Sequence, residues 1–166
     1  MRPVPSYIAV VGPGESATPE HLAAAQEVGA ALAHAGAVVL TGGHGGVMQA
    51  AAAGARAAGG TSIGLLPEAD RSGANPDSTF TIPTGLGELR NGLLVRASDA
   101  LVGVALSWGT LSEVALGVRT GKPVVVLGHW DLPLTGPVRA ASPAEAVRLA
   151  LAAARGRHRG QPPAPI

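Results

Sequence analysis

The sequence predicts a doubly wound α/β fold, a mostly parallel sheet with helices on both faces. Short runs of Ala, Val, Ile and Leu alternate along the chain with longer stretches of helical pattern. The runs are apolar throughout rather than at every second residue, as strands are when both faces of their sheet are covered. Glycine-rich loops join the ends of several runs to the helices that follow, the place where such folds bind ligands.

YIAVVG (7–12) reads as a first buried strand. Thr18-Pro19-Glu20 opens a helix to about Ala35, with Thr18 as N-cap and proline at the first helical position, where its missing N–H costs nothing. Gly36 closes it. AVVL (37–40) is the second strand, VMQAAAAGARAA (47–58) the second helix, and TSIGLLP (61–67) the third strand. The polar EADRSGANPDS (68–78) is the longest loop and has the composition of a mobile segment. TFTIPT (79–84) reads as a short strand, followed by a helix from about Gly87 to Ala97 and a fifth strand, ALVGVA (100–105). In SWGTLSE (107–113), Thr110 and Glu113 have the spacing of a capping box, which makes Thr110 the N-cap of the next helix and turns Glu113 back toward it. KPVVVLG (122–128) is another buried strand, and Ser142 with Glu145 repeats the capping spacing before a last helix to about Ala154. With no long repeat and no linker, residues 1–154 are expected to form one domain and RGRHRGQPPAPI (155–166) a disordered tail.

Composition narrows the function. Charged residues make up 14% of the 166-residue chain, and most of its apolar share is Ala, Val and Leu. Alanine-rich helices leave flat apolar faces, so a homo-oligomer, dimer or higher, is expected. The formal charge is +1, but Arg155, Arg157 and Arg159 lie in the tail, and without them nine basic residues face eleven acidic ones. That body lacks the basic face of a nucleic-acid binder, and the arginine tail reads as a solvated end. The absence of cysteine removes disulfides, thiolate nucleophiles and thiolate metal sites. Histidines are scattered without ligand spacing, so neither metal nor cofactor is expected. No apolar run approaches the ~18 residues of a membrane span, and MRPVPSY leads into a strand rather than a signal-peptide core. A cytoplasmic protein is expected.

Three strand-end loops carry the candidate site. Gly12-Pro13-Gly14-Glu15-Ser16-Ala17 formally fits a dinucleotide fingerprint, but Pro13 removes a donor and no acid ends the second strand to hold a ribose. Gly12 and Gly14 are better read as open backbone beside a ligand. Thr41-Gly42-Gly43-His44-Gly45-Gly46-Val47-Met48 strips side chains from a helix N-terminus, where free N–H groups and the helix dipole favour phosphate. Ser107-Trp108-Gly109-Thr110 repeats the arrangement after the fifth strand and completes the cradle. Arg90, early in its helix, opposes the helix dipole, a cost understandable if it reaches an anionic ligand or a carboxylate such as Glu113.

In this order, TGGHGGVMQAAAAGARAAGGTSIGLLP (41–67) and LRNGLLVRASDALVGVALSWGTLSE (89–113) resemble the LOG ("lonely guy") family and the related molybdenum-cofactor carrier-like proteins. The resemblance covers roughly residues 7–130. It implies a Rossmann-like domain, usually dimeric, and for LOG enzymes cleavage of the N-glycosidic bond of nucleoside 5′-monophosphates to free base and ribose 5-phosphate. Arg90 and Glu113 would be the catalytic pair. Gly42, Gly43, Gly45, Gly46, Gly109 and Thr110 would hold the 5′-phosphate. Two departures stand out: Ala105-Leu106-Ser107 replaces the LOG Pro-Gly-Gly, leaving Ser107 Oγ as a candidate donor, and Asn91 replaces a lysine. Met48, Asn91 and Trp108 are candidate contacts for a base or a partner subunit. Members once labelled lysine decarboxylases would need a Schiff-base lysine, but the single lysine, Lys122, lies at the opposite end of the sheet. The alternatives to an enzyme are a non-catalytic carrier of a nucleotide or molybdenum cofactor and a silent sensing domain.

Overall fold

The protein is described by a computed structural model that covers residues 4–128, 130–132 and 135–158. Its strands are β1 (Tyr7–Val11), β2 (Val38–Thr41), β3 (Thr61–Leu66), β4 (Phe80–Pro83), β5 (Ala100–Gly103), β6 (Val124–Leu127) and β7 (Val138–Ala140). All pair in parallel, in the order β4-β3-β2-β1-β5-β6-β7. β7 has no counterpart among the expected strands, because three residues carry too little pattern to be read. The helices are α1 (Pro19–His34), α2 (Val47–Ala57), α3 (Arg90–Ala97, preceded by a 3-10 turn at Gly87–Leu89), α4 (Trp108–Arg119) and α5 (Pro143–His158). Alternate residues of one strand feed two cores. Ile8 and Val10 face α1, α2 and α5, while Ala9 and Val11 face α3 and α4. The Ala- and Gly-rich pattern of α1 and α2 has a packing reason: a Cβ on Gly54 would lie 2.0 Å from the Gln26 carbonyl of α1, so the helices touch backbone to backbone.

Three expectations change. The cap of α4 is Ser107, not Thr110: Ser107 Oγ accepts from Thr110 N at 3.2 Å, and Trp108 is the first helical residue. Serine at the strand end satisfies the first turn before Thr110 is reached, so Glu113 lies in the second turn and is not the partner of a capping box. The loop at 68–78 is tied down rather than loose. Asn75 Nδ2 donates to the carbonyls of Gly43 at 3.0 Å and His44 at 2.9 Å, and Asp77 accepts from Gln49 at 2.8 Å and pairs with Arg56 at 2.6 Å. Asn75 thus holds the glycine loop and Asp77 holds α2. Finally, α5 continues to His158, where Arg157 Nη1 donates to the Gly121 carbonyl, so 155–158 belong to the helix. Residues 159–166 of the expected tail lie outside the described residues.

Thr18 caps α1 as expected, with His21 taking the place of the usual acid: Thr18 Oγ1 accepts from His21 N at 3.3 Å and His21 Nδ1 accepts from Thr18 N at 3.2 Å. Lys122 precedes β6, and its ammonium donates to the Ser98 carbonyl and to that of Arg96 at 3.1 Å, closing the C-terminal end of α3. Among the described residues no helix is long and apolar enough to cross a membrane.

Candidate functional site

The chain moves outward from β1 to β4, then returns to place β5 on the other side of β1. The reversal opens a crevice at the carboxyl ends of β1 and β5. A cavity of about 190 Å³ lies there. Gly12, Gly14, Gly42, Met48, Arg90, Asn91, Ser107, Gly109, Thr110 and Glu113 line it. Gly43, Gly45, Gly46 and Trp108 do not. Trp108 is 88% exposed at the start of α4.

The glycines divide by what they do. A Cβ on Gly42 would lie 2.7 Å from Met48 Sδ and 2.8 Å from Arg90 Nη1, so this residue makes room for the guanidinium. Gly46 has φ +66°, and its Cβ would fall 2.2 Å from the Gly14 carbonyl. Both shape the loops. Gly109 is different: a Cβ there meets nothing nearer than Ser107 Oγ at 3.9 Å, and its φ is not in the left-handed region. Gly109→Ala is therefore expected to fold and melt at or slightly above the parent temperature; if the cavity takes a phosphorylated ligand such as AMP, it should bind that ligand at least tenfold more weakly, because Gly109 lines the cavity. Calorimetric titration beside a thermal melt checks both halves; unchanged affinity would sink the view that Gly109 is kept open for a ligand.

At α4 the first-turn amides have no partner within the helix. The Ser107 hydroxyl takes that of Thr110, which leaves those of Trp108 and Gly109 without a partner among the described residues, Gly109 being on the cavity wall. The corresponding end of α2 is less free, because Val47 N donates to the Pro13 carbonyl at 3.0 Å. The helix end with open amides at the cavity is thus chiefly that of α4.

Arg90 is 9% exposed. Its Nη1 donates to the carbonyls of Gly42 and Leu65, at the ends of β2 and β3, and its Nε donates to Asn91 Oδ1 at 3.2 Å. Among the described residues Nη2 has no hydrogen-bond partner. Burial pushes the guanidinium below its ordinary pKa, while Glu113 and then Glu68 pull it back up. Glu113, 7% exposed, makes no ion pair among the described residues. Burial pushes its carboxyl up to about 7, against a smaller opposing pull from Arg90. A nearly buried carboxylate facing a cavity without a bonded partner costs stability, an arrangement that clusters at functional sites.

Three residues here escaped the sequence. Ser112 Oγ accepts from Asn91 Nδ2 at 3.0 Å; it lies inside SWGTLSE, but nothing in the spacing sets it apart. Glu68 accepts from His44 Nε2 at 3.0 Å, which holds its carboxyl below the usual range. Asn75 fastens the glycine loop from within the polar stretch 68–78, where its residue type alone does not set it apart.

The family model that matches, described as the SLOG cluster4 family, covers residues 5–152. A cytokinin riboside 5′-monophosphate phosphoribohydrolase of Mycobacterium tuberculosis is 35% identical over 127 residues, 69% of this chain and 68% of that protein. The molybdenum cofactor binding protein of Rippkaea orientalis superposes with a TM-score of 0.85 at 37% identity, over 90% of this chain and 97% of that one. The molybdenum cofactor carrier protein of Chlamydomonas reinhardtii gives 0.83 at 36%, over 90% and 98%.

Proposed function

Since the chain belongs to the SLOG cluster4 family, we propose that it binds a nucleoside 5′-monophosphate-like ligand at the β1–β5 crevice and hydrolyses its N-glycosidic bond. The observation that carries the reading is Glu113, a nearly buried carboxylate without an ion-pair partner, on the wall of the cavity that Arg90 also lines. The 5′-phosphate would rest on the open amides of Trp108 and Gly109 and meet Nη2 of Arg90. As the C1′–N bond breaks, positive charge develops on the ribose, and ionised Glu113 stabilises it. Water then adds at C1′, and the departing base takes up a proton. The similarity to the mycobacterial phosphoribohydrolase supports this chemistry.

The cavity, at about 190 Å³, lies below the ~300 Å³ at which small-molecule pockets begin. It suits the ribose phosphate, leaving the base outside, with Trp108 among the groups available to it. The assay is release of free base from AMP, CMP and GMP. Release with an ascending pH limb near 7 supports the enzyme; its absence across the panel, with measurable binding, removes it.

A second reading, a carrier of a phosphorylated cofactor, is favoured by Ala105-Leu106-Ser107 and Asn91, where the LOG pattern is lost. Its support is the likeness to the Rippkaea and Chlamydomonas proteins. Tight binding without turnover would select it.

The apolar side chains of Phe80 and Ile82 on the edge strand β4, and of Leu89 and Leu93 beside it in sequence, remain exposed. They support association with a second copy. Sedimentation at micromolar concentration is expected to return a dimer or larger; a monomer overturns this.

A further inference from the structure

Asn91 and Ser112 lie between the cation and the open-amide end of α4. Asn91 Oδ1 accepts from Arg90 Nε at 3.2 Å, and Asn91 Nδ2 donates to Ser112 Oγ at 3.0 Å. Ser112 Oγ in turn donates to the Gly109 carbonyl at 2.7 Å. Each link has one donor and one acceptor, and all run the same way, from Arg90 to Gly109. Turning the Asn91 amide over would set its NH₂ against the Arg90 Nε–H, so the neighbours decide its orientation. Hydrogen bonds aligned in this way strengthen one another.

We propose that Asn91 and Ser112 are positioning residues that couple the Arg90 guanidinium to the first turn of α4, holding the cation and the open amides of Trp108 and Gly109 at one spacing for the ligand's phosphate. The proposal rests on the phosphate-ligand reading. Two observations separate positioning from simple stability. Ser112 is exposed in mid-helix, where alanine is the better helix former and a serine bonded back to a carbonyl slightly disfavours the helix. Arg90 is already anchored by two strand-end carbonyls through Nη1. The bond to Asn91 adds orientation, because it occupies the Nε–H edge and leaves Nη2 without a hydrogen-bond partner among the described residues.

The test uses Ser112→Ala, Asn91→Leu and the double variant. AMP and inorganic phosphate are titrated calorimetrically, and the Arg90 Nε–H resonance is followed by ¹⁵N NMR, assigned by its loss in Arg90→Lys. Asn91→Leu is expected to weaken AMP binding about tenfold, as loss of one charge-assisted hydrogen bond implies. Ser112→Ala is expected to weaken it by a smaller factor without lowering thermal stability. Because both act through one chain of bonds, the double variant should bind no more weakly than Asn91→Leu alone. The Nε–H signal should shift and exchange faster in Asn91→Leu. Independent, multiplying effects on affinity, or an unmoved Nε–H signal, overturn the coupling. If the parent protein binds neither probe, the phosphate-ligand reading falls, and the NMR comparison, which needs no ligand, decides the coupling by itself.

Discussion

Glu113→Gln is expected to melt higher than the parent protein at pH 8 while losing base release by on the order of 10³-fold. The stability half follows from the carboxyl's environment. Its pKa is pushed from an ordinary 4.5 to about 7 in the folded chain. Between those values the folded state holds more protons than the unfolded one, so stability falls as pH rises through that window. Above pH 7 the penalty is complete, about 3 kcal/mol, or roughly 6–12 °C in melting temperature for a chain of this size. Glutamine, which never ionises, escapes it. The difference between parent and variant should therefore shrink on acidification, become small at pH 4.5 and vanish below it. Thermal melts from pH 4.5 to 8.5 read this directly. A variant no more stable than the parent at pH 8 would mean that the carboxylate is compensated in solution, and Glu113 would lose its standing as a strained functional group. The activity half follows from the same group: in the proposed hydrolysis only an ionised carboxylate would stabilise positive charge on the ribose.

Arg90→Met should damage both the fold and the site. The methionine keeps the apolar stem but removes the donor that Nη1 offers to the Gly42 and Leu65 carbonyls. Each buried carbonyl left without a donor costs about 1–3 kcal/mol, so a loss of about 2–5 kcal/mol in stability is expected. Binding of AMP should fall below detection, because the cation beside the α4 amides is gone. Arg90 also pulls the Glu113 carboxyl downward. Without that pull the carboxyl titrates higher still, and the alkaline loss of stability should extend beyond pH 7. Denaturant titrations at pH 6 and pH 8 check both points. Unchanged stability with lost binding would reduce Arg90 to a ligand contact; lost stability with normal binding would make it purely structural.

The two predictions expose a tension in the site. Glu113 is retained at a cost to the fold, whereas Arg90 contributes to the fold and keeps Nη2 in reserve, unbonded among the described residues. A phosphorylated ligand placed between them would use the reserved nitrogen and the α4 amides together. The cost of keeping Glu113 ionised would then be offset only when the positive charge of the ribose appears.

The order and location of the elements were legible in the sequence because local rules govern them. Apolar runs become buried strands, Thr18-Pro19 starts α1, and glycine at 36 ends it through its positive φ of 75°. The crevice was legible too, since glycine-rich strand ends in a doubly wound sheet can meet only where the strand order reverses. What sequence spacing could not resolve was competition between neighbouring residues for one role. Ser107 and Thr110 are both good caps, and the choice of Ser107 moved Glu113 from a helix cap to a buried wall of the cavity. Nor could it show which polar groups spend their donors on backbone: Asn75 on the glycine loop, Arg90 on two strand ends. Those partners lie 25 to 48 residues away in sequence. Residue type and local spacing determined the sheet, its helices and the glycine loops. Only the packed chain decided which groups are left without partners, because hydrogen-bond satisfaction is settled by contacts that exist nowhere but in three dimensions.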